Sequence, residues 1–202
     1  MTLLDRWLAL ADRISSYAVW FGGALVLASA ILVSVDVLLR KILLVSLGGA
    51  DELSGYAFAI GTAWALGFTL LRRANVRVDA LYTRLPAPVC ALLDLVALAS
   101  LGLFIGLLTM QAWDVLETSI SFQARATTPL QTPLWMPQTL WVIGLGLFLF
   151  TLAPLFLRSL LALLSGDLAT VRRLAGARTI EEDAADESAH TAALRVPAQL
   201  KE

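Results

Sequence analysis

Four predominantly apolar runs, at 17–39, 53–71, 89–110 and 137–157, constrain this chain more than any other feature. Each reaches the roughly 20 residues that a helix needs to cross the hydrocarbon layer of a bilayer. A backbone in lipid has no water to bond, so each run is expected to be helical. Composition agrees: 58% of the residues are hydrophobic, only 15% are charged, and the mean hydropathy is +0.78. A soluble domain typically carries about 25% charge. The expected fold class is therefore an all-α integral membrane protein with four transmembrane helices. The first run exceeds a signal h-region and follows a mixed-charge segment, so it reads as a retained span.

The polar residues between the runs decide direction. An even number of spans puts both termini on one side. That side would carry Arg6, Arg13, Arg72, Arg73, Arg77, Arg84, Arg158, Arg172, Arg173, Arg178, Arg195 and Lys201, and the other only Arg40, Lys41 and Arg125. By the positive-inside rule this twelve-to-three division makes the N and C termini cytoplasmic. The stretch TLLRRANVRVDALYTRLP, with four of these arginines, then acts as a topology lock.

Three regions follow. Residues 1–16 carry Leu3, Leu4, Trp7, Leu8, Ala11 and Ile14 at helical spacing opposite Asp5, Arg6, Asp12 and Arg13. This pattern fits an amphipathic helix in the cytoplasmic interface, and equally an extension of the first span. Residues 17–164 form the four-helix membrane domain. Residues 165–202 are polar, acidic toward the end, and expected to be a largely disordered cytoplasmic tail.

Chemistry-bearing groups are few. Cys90 is the only cysteine and His190 the only histidine, which excludes an intrachain disulfide, a cysteine metal cluster and a bis-histidine haem. No cofactor, metal or nucleic acid is expected, and no catalytic residue. Asp36 is one turn before Arg40 and reads as half of an interfacial pair. Asp51 and Glu52 open the second span, where the helix dipole favours acids. Asp94 falls about 9 Å into the third helix and is expected to pair structurally with a loop arginine such as Arg84. Asp114 and Glu117 lie beyond that span without a base or nucleophile beside them. Gly55, Ala59, Ala63 and Gly67, spaced by four, mark a packing face with Ile60 and Thr62 opposite it, and Gly102 and Gly106 form a GxxxG.

The run ADELSGYAFAIGTAWALGFTLLRRANVRVDALYTRLP, followed later by TTPLQTPLWMPQTLWVIGLGLFLF, resembles the small membrane subunit of tripartite ATP-independent periplasmic (TRAP) transporters, the DctQ-type family. The second helix of that family opens with an acidic, an apolar and often a small residue, matched by Glu52, Leu53 and Ser54. An arginine and a V-x-V-D segment followed by LP come next, matched by Arg72 or Arg73, Val76, Val78, Asp79, Leu85 and Pro86. Asn75 stands where a histidine is often found, so no histidine role carries over. The resemblance runs from the first span to the fourth.

It implies a multi-pass subunit of the bacterial inner membrane, working with a large membrane subunit and a periplasmic substrate-binding protein. Together they would import an organic acid, usually with sodium. The small subunit widens the scaffold around the large subunit's elevator domain. Two alternatives are a stand-alone four-helix proton-coupled exporter, with Asp94 as its carboxylate, and a membrane assembly protein unrelated to transport.

Overall fold

The computed structural model describes residues 3–74 and 85–176, together with Ala184 and Ser188. Among these residues there are five helices and no strand: α1 (Leu3–Leu43), α2 (Ala50–Leu71), α3 (Ala87–Ser121), α4 (Trp135–Leu164) and α5 (Leu168–Ala175). The first four are long and apolar enough to cross a membrane. Each contains an uncharged stretch, at 14–35, 53–71, 95–113 and 135–157, of about the length that a bilayer core requires.

The helices overrun the apolar runs that announce them. Residues 3–16 continue the first span as one helix without a break. The third helix runs on to Ser121 and the fourth to Leu164. Within the region after α4, a short helix at 168–175 packs against α3 and α4 with Val171 and Ala175 buried. Asp167 caps that helix by accepting the Thr170 backbone N–H at 3.0 Å.

Three helices stop in the same way. Arg73, Gln123 and Gly166 adopt left-handed backbone just past α2, α3 and α4. The next residue then bonds back into the helix, Ala74 to Thr69, Ala124 to Ser119 and Asp167 to Ala162, at 2.9–3.0 Å. This is the Schellman closure, made here twice without glycine.

The helices form an open array in which α2 packs on α1 and α4, and α3 packs on α4. α4 is the most buried span and α1 the least. The main apolar core, including Leu98, Ile105, Leu145, Phe148 and Leu152, fills the space around α4.

Between α1 and α2 the backbones touch. A Cβ on Gly22 would stand 2.7 Å from the Gly61 carbonyl oxygen, and one on Gly61 would stand 2.9 Å from that of Gly22. Between α2 and α4, a Cβ on Gly144 would meet Ala63 Cβ at 2.8 Å. Small residues set these approaches, as expected where lipid provides no hydrophobic drive for association. Trp64 joins the three helices: its ring lies 4.8 Å from that of Phe21, and its Nε1–H donates to the Leu140 carbonyl at 2.8 Å.

Candidate functional site

The ionisable groups on the long helices collect at the two ends of the array. At the end where α1 finishes and α2 begins, Asp36 is buried on α1. It accepts the Leu47 backbone N–H at 2.7 Å and the Ser46 hydroxyl at 3.1 Å, and it pairs with Arg40 at 2.5 Å. The carboxylate thereby fixes the turn at 44–49 as well as forming the i,i+4 pair anticipated from sequence. Arg40 also approaches the exposed Asp51 at 3.7 Å.

Glu52, in the first turn of α2, does more than complement a helix dipole. It is buried and accepts hydrogen bonds from the Thr128 hydroxyl, from the Tyr56 hydroxyl at 2.9 Å, and from Thr132. Thr128 and Thr132 belong to the loop between α3 and α4, so Glu52 holds a segment more than 70 residues away. Gly49 lies against Leu130 of the same loop at φ 128°, where a Cβ would fall 2.3 Å from a leucine methyl. Ser54 stays local, its hydroxyl donating to the Asp51 carbonyl at 2.9 Å.

At the opposite end arginines predominate. Arg158 of α4 pairs with Asp5 of α1, and Arg72 approaches Asp12 at 3.5 Å. The Arg72 guanidinium also lies over the Phe68 ring, 5.1 Å from its centre, a cation–π arrangement. Arg73 reaches α5, its guanidinium donating to the Arg172 carbonyl at 3.4 Å. Asp94 is buried and engaged near the start of α3, while Asp114 and Glu117 are exposed at the far end of that helix. Asp79, Arg77 and Arg84 lie outside the described residues.

The small-residue stripe of α2 divides in the structure. Ala63 and Gly67 are buried, Gly67 so closely that a Cβ would stand 2.9 Å from Ser15 Oγ and 3.2 Å from Thr151 Oγ1. Those two hydroxyls share a hydrogen bond of 3.3 Å. Gly55 and Ala59 are exposed, and Gly55 has open space where a Cβ would be. Ile60, expected on the opposite face, is buried instead. The physical reason is that α2 lies between α1 and α4, so its contacts occupy more than one face. In α3, Gly102 meets Leu152 while Gly106 faces open space. Sequence reading missed Gly22, Gly61, Trp64 and Thr128, whose roles depend on residues far away in the chain.

Membrane-length helices, glycine contacts between them, and charges confined to their ends define a multi-pass membrane protein. The sequence model for tripartite ATP-independent periplasmic transporters, DctQ component, matches residues 29–162, well over half of the chain. The chain belongs to this family, as the small subunit of a TRAP transporter. Comparisons with curated proteins and with solved structures found no match.

Proposed function

We propose that this subunit is a static scaffold for the large membrane subunit of a sodium-coupled organic-acid importer in the bacterial inner membrane. Both termini are cytoplasmic in this reading. The Asp36 and Glu52 end faces the periplasm, where the substrate-binding protein delivers its cargo. The family membership supports the transporter assignment.

The observation that carries the scaffold role is the composition of the array's centre. From Arg13 to Asp36, Glu52 to Arg72, Asp94 to Asp114, and up to Arg158, the spans are uncharged, and close glycine contacts join α1 to α2 and α2 to α4. Helices in backbone contact resist sliding, since a shift of a fraction of an ångström brings atoms into overlap. Substrate and sodium sites then fall to the large subunit.

Reconstitution tests the proposal. The chain alone in proteoliposomes should take up nothing; with the large subunit and binding protein, a sodium gradient should drive organic-acid uptake. Uptake or export by the isolated chain would overturn the scaffold reading in favour of an exporter. Asp94→Asn in the assembled complex should keep the same ion coupling, because Asp94 lies at an end of the array. Loss of coupling in a normally assembled complex would place Asp94 on an ion path.

A further inference from the structure

Near the start of α1 the dipeptide Asp-Arg occurs twice, at 5–6 and 12–13. A separation of seven residues is almost two helical turns, about 10.5 Å along the axis, so corresponding side chains fall on nearly the same face. The acids turn inward, Asp5 to Arg158 and Asp12 toward Arg72. The bases turn outward: Arg6 and Arg13 are exposed and have no ion-pair partner among the described residues. Pairing the aspartates internally therefore leaves two uncompensated positive charges on the outer surface of α1.

Their neighbours on that surface are apolar or amphipathic. Leu3, Leu10, Tyr17 and Trp20 are 85%, 50%, 73% and 80% exposed. At 3.6 residues per turn these four and the two arginines fall within an arc of about 100°. Arg13 is the last charged residue before the uncharged stretch 14–35 begins, so the stripe passes from guanidinium groups to Tyr17 and then Trp20 as it enters the span. Phospholipid chemistry has the same order, phosphate first and hydrocarbon below it.

We infer that this face of α1 binds anionic phospholipid headgroups, with Arg6 and Arg13 as the phosphate ligands. A guanidinium presents paired N–H donors that match phosphate oxygens. Its methylene stem can lie along apolar neighbours such as Leu10 while the charge reaches the headgroup layer. Tyr and Trp sit favourably just beneath. An acidic protein loop would satisfy the arginines but leave Tyr17 and Trp20 uncovered below them. All six residues lie outside 29–162, the part that the family model matches. The inference rests on the four membrane spans and not on the scaffold role.

The test places the full chain in nanodiscs of mixed phosphatidylglycerol and phosphatidylcholine, extracts it with mild detergent, and counts retained lipid by mass spectrometry. Phosphatidylglycerol should be enriched over its bulk share. Arg6→Gln with Arg13→Gln should abolish most of that enrichment, since two basic groups at a membrane surface are together worth about thirtyfold in affinity. The paired lysine variant should keep most of it. Equal retention of the two lipids by the unaltered chain would overturn the inference without any variant, as would an undiminished preference in the glutamine variant. Repeating the measurement with the large subunit bound should preserve the preference. Its disappearance there would mean that the partner covers the arginines, and would also overturn the inference.

Discussion

At the Asp36 and Glu52 end, buried carboxylates take their hydrogen bonds largely from neutral donors: the Leu47 amide and the Ser46 and Thr128 hydroxyls of the loops, and the Tyr56 hydroxyl of α2. At the arginine end, Asp12 and Arg72 face each other across 3.5 Å with about half of each side chain exposed. The first arrangement dictates loop conformation, because a buried acceptor that loses its donors is strongly penalised. The second only orients helices, is screened by salt, and contributes little per pair.

The comparison requires that the middle of the array keep both ends in register, and breaking the middle should have the largest effect. Gly61→Leu would drive a side chain into the Gly22 backbone and separate α1 from α2. Overpacking of this kind costs about 1–3 kcal/mol or more, so the yield of folded subunit should fall sharply in a detergent thermal-shift assay. Ala63→Leu should act similarly through Gly144. Ala59→Leu, on the exposed half of the same helix, should leave the isolated chain unchanged. If it alone lowers the yield of assembled complex, that exposed half is where the large subunit packs.

Next in size is the loss of one carboxylate. Asp36→Asn removes the charge that pairs with Arg40 and weakens the grip on the 44–49 turn, so protease cutting there should accelerate about tenfold or more, with the helices intact. Asp12→Asn at the other end should change stability by at most about 1 kcal/mol, and less at high salt. Equal effects from the two variants would erase the distinction between the ends.

The smallest effect concerns α5. The Thr170 hydroxyl and backbone N–H, bonded to the Asp167 carboxylate, hold its pKa below the usual carboxylate value. A lowered folded pKa means that the cap contributes fully above the ordinary carboxylate range and is lost as pH falls through the lowered value. Protection of the α5 amides, taken relative to the intrinsic exchange rate at each pH, should therefore be steady at neutral pH and fall only below the ordinary carboxylate range. Asp167→Asn should remove that acid dependence.

The spans themselves were legible because hydropathy over some 20 residues is a property of the local chain. Their ends were not. Helix 3–43 extends past its apolar run through mixed-charge turns and helix 87–121 through turns that carry Asp114 and Glu117, and two of the Schellman closures use Arg73 and Gln123 where glycine would have signalled a stop. The spacing of Gly55, Ala59, Ala63 and Gly67 marks one face of α2, of which only Ala63 and Gly67 are buried, because periodicity gives a face of a helix and not the number of its neighbours. That is why Ile60 was misplaced. Asp36 with Arg40 was visible as an i,i+4 pair. Glu52 with Thr128 was invisible, since nothing in either segment names the other. Helix α5 escaped notice because eight residues with two arginines carry no hydropathy signal, although Asp167 at its start is a recognisable cap.

Hydrogen–deuterium exchange at the Leu47 amide tests the asymmetry of the ends most directly, because that N–H is bonded to the buried Asp36 carboxylate. In the unaltered subunit it should exchange slowly although it lies in a turn, and in Asp36→Ala, which removes the acceptor, it should exchange like an open loop, while the α5 amides at the far end stay unchanged. Rapid exchange at Leu47 in the unaltered protein, or equal rates in the two proteins, would contradict an end held rigid by its buried carboxylates.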